Sequence, residues 1–190
     1  MKQVYITGVG QDQPGIVAAM TEVINQNQGN IEDSTMTILG SQFAFIMVAG
    51  FPDDVTIEML RKDYMPFEQE KGLIVFVQEL TDKTPYTPKP ADAVPYIISV
   101  AGGDRTGITY EITRILAKHE VNITDLNAHT IEGETGPVYI MMIETILPDA
   151  LDRDVFEREL AMMGENLNVE IQYHPVEHVA LYVSAHKLAL

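Results

Sequence analysis

The chain has 190 residues, of which 46% are apolar, so it is long enough for one large domain or two small ones. Its formal net charge of −16 opposes direct binding to DNA or RNA, because such binding depends on lysine and arginine side chains that displace counterions. The absence of cysteine excludes a disulfide framework, a thiolate nucleophile and a cysteine-ligated zinc site.

The first half of the chain predicts six elements in the order β-α-β-β-α-β. Apolar residues of the first helix stand four, seven and eight positions after Ile16, as they do on one face of an amphipathic helix. We expect the second helix to begin at Pro52 and to turn Val55, Met59 and Leu60 inward. The predicted strands are 2–9, 30–39, 43–51 and 73–80, and the predicted helices are 14–28 and 52–71.

Four prolines between residues 82 and 95 predict an extended linker. Beyond this linker the apolar spacing that starts at Ile16 is repeated from Ile108, at a constant offset of 92 residues. The same order of elements therefore occurs twice. The predicted strands of the second half are 96–101, 121–131, 137–147 and 167–173, with helices over 108–116 and 152–163.

The repeat predicts two domains, 1–81 and 96–175, joined by the linker at 82–95 and followed by a tail at 176–190. Right-handed crossovers give each one an α+β, ferredoxin-like βαββαβ fold, in which a four-stranded antiparallel sheet carries two helices on one face. The other face stays bare, so we expect the units to pair or the chain to form a homo-oligomer. The tail is too apolar for a free end, and we expect it to pack on the body or on a neighbour.

No segment near the N-terminus has the apolar core of a signal peptide, and the apolar run at 43–51 is too short to cross a bilayer. We therefore expect a soluble, cytoplasmic protein. No Ser-His-Asp arrangement, phosphate-binding loop or paired carboxylates stands out, so we expect a non-enzymatic protein without a cofactor.

The turn between the first strand and the first helix is the candidate binding site. Free N–H groups in the first turn of a helix, at the positive end of its dipole, suit a carboxylate. Asp12 and Asn30 can supply oxygens for the ammonium of a free amino acid, because we expect the strand that Asn30 starts to lie beside the turn. Asp104 and Asn122 form the equivalent pair. A structural interpretation stays open, in which the aspartates cap their helices and the asparagines adopt the left-handed backbone that follows a helix end.

Histidines and acidic pairs favour structural roles. His174, His178 and His186 lie close together in sequence, but their spacing would require a helix across Pro175, so we expect no metal site. His119 and His129 have no acidic partner at an informative spacing. The acidic residues at 53–54 and at 152 and 154 are expected at helix starts, where negative charge suits the dipole.

The sequence also resembles a known family. Gly10 to Val17 reads G-Q-D-Q-P-G-I-V and is followed by Gly29-Asn30-Ile31, which is similar to the ACT-domain pattern G-x-D-R-P-G-I-V and then G-x-N-I. The stretch 38–47 resembles the tandem-ACT glycine cleavage system transcriptional repressor family in particular. Two positions depart from the pattern, because Gln13 stands where arginine is usual and Thr106 stands where proline is usual.

This resemblance implies a regulatory protein that binds a small amino acid, such as glycine, and passes its occupancy to a protein partner such as a transcription factor. The acidity of the chain favours this indirect route over DNA contact. ACT units also precede the catalytic domain of formyltetrahydrofolate deformylases, and a module that only assembles and binds nothing is a third alternative. The ligand contacts implied by position are Asp12, Gly15, Ile16, Asn30 and Ile31 in the first half, and Asp104, Gly107, Ile108, Asn122 and Ile123 in the second.

Overall fold

The computed structural model describes residues 1–81, 95–134 and 136–175, and the chain divides into two compact units. The predicted linker, apart from Pro95, and the predicted tail lie outside the described residues, so the proposed domain boundaries stay predictions. The first unit contains β1 (Lys2–Gln11), α1 (Ile16–Gln26), β2 (Asn30–Leu39), β3 (Gln42–Phe51), α2 (Ile57–Lys71) and β4 (Ile74–Glu79). The second contains β5 (Tyr96–Gly103), α3 (Ile108–Lys118), β6 (Asn122–Gly133), β7 (Gly136–Ile146), α4 (Arg153–Leu167) and β8 (Val169–Pro175).

Each unit has one four-stranded antiparallel sheet, with strand order β2-β3-β1-β4 in the first and β6-β7-β5-β8 in the second. The predicted ferredoxin-like βαββαβ fold is therefore confirmed in both halves. A β-bulge interrupts the pairing of β2 after Ile31 and that of β6 after Ile123, at equivalent places.

The core of each unit lies between its sheet and its two helices. On β1, Val4 and Ile6 are fully buried because alternate residues of a strand point to the same face. The stripe of α1 that starts at Ile16 packs against them, and the stripe of α3 that starts at Ile108 does the same in the second unit. The periodicity of the sequence thus predicted the core of both units.

The start of α2 differs from the prediction. The helix begins at Ile57, five residues after Pro52, because Thr56 has an extended backbone and its hydroxyl accepts a hydrogen bond from the Met59 N–H at 3.2 Å. Asp53 therefore lies before the helix, where it pairs with the N-terminal ammonium at 3.1 Å. The shift leaves Met59 46% exposed, so its predicted inward position is wrong.

The start of α4 agrees with the prediction, since the Asp152 carboxylate accepts a hydrogen bond from the Val155 N–H at 3.1 Å. Asp154 stands in the first turn of the same helix, near the positive end of its dipole.

A polar contact joins the two helices of each unit at equivalent positions, but the side chains that make the contact differ between the units. In the first unit the Asn27 amide donates to the Asp63 carboxylate at 2.9 Å. In the second unit the His119 ring lies 3.1 Å from the Glu159 carboxylate, which also accepts from the Lys118 ammonium at 2.6 Å. Sequence spacing does not predict this partner of His119, because Glu159 is 40 residues away and only the fold brings it close.

The hydrogen bonds from Lys118 and His119 lower the pKa of Glu159 below its ordinary value. A carboxyl group whose pKa is lower in the folded state adds stability above its unfolded pKa, and this contribution is lost as the pH falls through the folded pKa. We expect Glu159→Gln to unfold at lower denaturant concentration than the wild type at pH 7, and the difference to shrink below about pH 4, near the ordinary pKa of glutamate. Urea titrations at pH 3 to 7 measure this, and an equal difference at every pH contradicts it.

Tyr64 joins α2 to α1 inside the first core. Its buried hydroxyl donates to the Met20 carbonyl at 2.9 Å, and burial raises the pKa of the phenol above its ordinary value. We expect Tyr64→Phe to lower the free energy of unfolding by about 1 kcal/mol, the usual net contribution of such a hydrogen bond. The control is Tyr110→Phe on the exposed face of α3, which is expected to change nothing, and equal urea midpoints for both variants would contradict the role of the hydroxyl.

Candidate functional site

The candidate site is the turn that leads from the first strand of each unit into its first helix. Gly15 precedes α1 with φ of 91°, and Gly107 precedes α3 with φ of 99°. This left-handed backbone favours glycine, and the place of a Cβ at either residue is open space. Neither helix start has a side-chain cap among the described residues, so its first-turn N–H groups face outward with the positive end of the dipole.

This geometry decides against the capping interpretation of the aspartates, because the N-cap positions belong to Gly15 and Gly107. The side chain of Asp12 is exposed. The Asp104 carboxylate instead accepts a hydrogen bond from the Thr130 hydroxyl at 3.2 Å, a contact between elements 26 residues apart that sequence spacing does not predict.

The backbone of both turns is fastened to the adjacent hairpin. The Asp12 N–H donates to the Ser41 carbonyl at 2.8 Å, and the Asp104 N–H donates to the Pro137 carbonyl at 3.0 Å. These bonds continue the pairing of the first strand with the third by one residue and fix the direction in which the chain leaves the sheet.

The next side chain fastens each turn to the end of the second helix. The Gln13 amide donates to the carbonyl of Lys71 at 2.8 Å, and the Arg105 guanidinium donates to the carbonyl of Leu167 at 3.2 Å. Lys71 and Leu167 are the last residues of α2 and α4, whose carbonyls have no partner within the helix. Gln13 therefore makes the same connection in the first unit as arginine makes in the second, and the departure from the family pattern keeps this contact.

The structure separates the two residues that were expected to bind an ammonium together. Asn30 is opposite Gly50 of β3, which is opposite Gln3 at the start of β1, whereas Asp12 follows the other end of β1. From Gln3 to Asp12 is nine residues, which at about 3.3 Å each place Asp12 and Asn30 about 30 Å apart along the strand direction. The expectation that β2 starts beside the turn is wrong, because β2 runs parallel to β1 and only its end, near Leu39, lies beside the turn.

The second unit shows the same separation. Asn122 is opposite Ile146, and Asp104 lies beside the Gly133–Gly136 end of the hairpin. The asparagines are not the left-handed residues after the helix ends either. Those are Gln28 and Glu120, with φ of 55° and 56°.

The predicted isoleucines have different environments. Ile16 and Ile108 are 2% exposed and belong to the cores, so only their backbone N–H groups are available to a ligand. Ile31 is exposed near the start of β2, and Ile123 packs partly against the second core. The predicted set thus divides into two groups at opposite ends of each sheet. The turn group is Asp12, Gly15 and Ile16 with Asp104, Gly107 and Ile108, and the strand group is Asn30 and Ile31 with Asn122 and Ile123.

The described ranges contain no group of three or more histidine or acidic side chains placed to hold a metal ion. Of the three histidines near the C-terminus, His174 is in β8, and His178 and His186 lie outside the described residues. Among the helices of the described segments, none combines the length and apolar character needed to span a membrane.

Comparison with known proteins places both units in one family. The model of the ACT domain matches residues 2–78 and 95–172. The glycine cleavage system transcriptional repressor of Escherichia coli is 27% identical over 168 residues, which cover 87% of this chain and 85% of that protein. A UPF0237 protein of Methanopyrus kandleri is 35% identical over 79 residues, covering 41% of this chain and 88% of its own length.

Solved structures show the same fold over nearly the whole chain. The crystal structure of an unknown protein from Galdieria sulphuraria has a TM-score of 0.75 at 22% identity, covering 92% of this chain and 98% of that one. A structure assigned to a glycine cleavage system transcriptional repressor has a TM-score of 0.70 at 20% identity, covering 93% and 98%. The two matched segments, with one βαββαβ unit in each, show that the chain belongs to the ACT domain family and carries two ACT domains in tandem.

Proposed function

We propose that the protein is a cytoplasmic, non-catalytic regulator that binds a small free amino acid, such as glycine, at its strand-to-helix turns and transmits occupancy to a protein partner. The observation that carries the proposal is the uncapped helix start behind a left-handed glycine, present in both ACT domains. Similarity to a glycine cleavage system transcriptional repressor over 87% of the chain supports the regulatory role.

The chemistry of the turn suits an amino acid better than a simple anion. First-turn N–H groups and the helix dipole favour a carboxylate. A chain with a net charge of −16 repels an anion at long range, whereas a zwitterion carries no net charge. The exposed Asp12 carboxylate supplies the negative charge that an ammonium requires near the same turn.

The turn group and the strand group can meet only across two ACT domains. β2 lies at the edge of its sheet and is exposed along its whole length, so its outer backbone groups are open to pairing. If β2 of one copy pairs antiparallel with β2 of a second copy, Asn30 of one lies at the same end of the joined sheet as Asp12 of the other. We therefore propose that Asn30 and Ile31 complete the turn site of a second copy.

The proposed partner is a protein such as a transcription factor, not DNA. The formal charge of −16 works against contact with a phosphate backbone. An acidic regulator can still affect transcription through a protein that itself binds DNA. In the second turn Thr106 replaces proline, which makes the turn less rigid, and the Asp104 carboxylate already accepts a hydrogen bond from Thr130. We therefore assign the first turn the larger role.

The alternatives are a relation to formyltetrahydrofolate deformylases and a module that assembles without a ligand. A thermal-shift screen of the full chain across the twenty amino acids separates the proposal from the ligand-free module. A ligand at one hundred times its Kd stabilises the folded state by about 2.7 kcal/mol, which is a measurable rise in Tm. If no amino acid raises the Tm, the proposed function is wrong.

The decisive variant is Gly15→Val, because a branched side chain there projects into the space in front of the helix N–H groups. We expect it to weaken binding of the amino acid found in the screen by at least about 100-fold in calorimetry, since the carboxylate contact is lost. Gly136→Val is the control for backbone strain, because Gly136 also has a positive φ, of 129°, and open space at its Cβ position but lies in the other ACT domain. Equal affinity of the Gly15 variant and the control would place the site elsewhere.

A further inference from the structure

The first sheet turns an apolar surface away from its helices. Cross-strand partners share a face, and Val9 pairs with Ile74 while Thr7 pairs with both Phe76 and Ile46. These residues alternate with Ile6 and its buried neighbours, so they lie on the side of the sheet opposite the core. We call this surface the open face of the first sheet.

The open face combines exposure with apolar character. Ile74 and Phe76 are each 68% exposed, and Val9 and Ile46 are more than two-fifths exposed. The register makes the four side chains neighbours around Thr7. A contiguous apolar patch on a charged protein is typical of a contact surface, whereas isolated exposed apolar residues are ordinary.

Charge distinguishes the open face from the rest of the molecule. Every residue that β1, β3 and β4 direct to this side is uncharged, although the chain has 28 acidic and 12 basic residues. Among the described residues of this sheet, the carboxylates on this side lie at the far corner, where Glu32 lies against Gln3 and Gly50 and Asp33 is opposite Val48. The centre of the face is therefore neutral.

The equivalent face of the second sheet has different chemistry. Its edge strand β8 presents Glu170, Gln172 and His174, which pair with Ala101, Ser99 and Ile97 of β5. On the other side of β5, Glu144 is opposite Ile97. The same fold thus tolerates a polar face, so the apolar residues of the first sheet are not required by the ACT architecture.

We propose that the open face of the first sheet binds the same face of a second copy of this chain. Two molecules that each carry a charge of −16 repel each other, and a neutral face is where close approach costs least. A self-complementary contact about a two-fold axis places neutral, apolar surface against an identical surface. Stacked sheets of this kind pack about 10 Å apart with interdigitated side chains.

The size of the face is sufficient for such a contact. Four strands about 4.8 Å apart, with six to ten residues each at about 3.3 Å per residue, give a surface of roughly 500 Å². Two copies then bury about 1,000 Å², which reaches the lower limit of a specific interface. The contact uses the face of the sheet, whereas the ligand site proposed above uses the edge of β2, so either can exist without the other.

Analytical ultracentrifugation of the full chain without amino acids, at about 50 μM and physiological salt, tests the proposal. We expect the wild type to form a dimer or a larger even-numbered assembly, and Phe76→Glu to raise the Kd of the face contact at least about 100-fold and halve the mass. Tyr110→Glu is the matched control, because Tyr110 is an aromatic residue of similar exposure, 65%, on α3. A monomeric wild type, or equal masses for both variants, would overturn the proposal.

A crosslink identifies the contact directly, because the chain has no cysteine of its own. Thr7 lies at the centre of the open face, so Thr7→Cys is expected to give a disulfide-linked dimer on mild oxidation in the otherwise unchanged chain. Ser99→Cys is the control, since Ser99 is the residue 92 positions later on the corresponding face of the second sheet. Equal yields from the two variants, or a higher yield from Ser99→Cys, would show that the open face does not bind a second copy.

Discussion

The backbone N–H groups at the start of α1 and α3, which no side chain of the described residues caps, are the constraint around which both domains are built. A helix start needs partners for these groups, and a side-chain cap is the usual solution. Here Gly15 and Gly107 occupy the cap position in a left-handed conformation and supply no side chain. The turn is held instead from both sides, by the hairpin backbone and by Gln13 or Arg105 on the end of the second helix. The turn is therefore fixed at both sides while its donors carry no side-chain cap among the described residues, an arrangement that suits a carboxylate.

The two domains keep one backbone design and differ in the chemistry placed on it. The bond between helices is an amide with a carboxylate at Asn27 and Asp63, and an imidazole with a carboxylate at His119 and Glu159. The sheet face opposite the helices is apolar in the first domain, whereas in the second domain it carries Glu170. Differences of this kind can give the halves of one chain unequal roles, and the proposed ligand site and the proposed self-association surface both lie mainly in the first domain.

Separation of the turn from the start of β2 makes assembly part of the proposed mechanism. Within one domain, Asp12 and Asn30 lie at opposite ends of the sheet, because β1 and β2 run in the same direction on either side of β3. A ligand that contacts both groups must bridge two domains. Binding would then stabilise one assembly over others, and this differential affinity is what allows an effector to change a contact with a partner.

The sequence by itself determined the fold, the repeat and the place of the turn, because helical spacing from Ile16 and Ile108 and the glycine-containing turns are local properties of the chain. Only the tertiary structure decided which residues meet. The register of three strands sets Asn30 apart from Asp12, and the packing of α3 on α4 brings Glu159 to His119 across 40 residues. The structure also decided where α2 begins. Thr56 is the N-cap residue of this helix, so the segment from Pro52 to Val55 precedes the helix. Contacts between distant segments depend on strand register and helix docking, and neither is encoded in residue spacing alone.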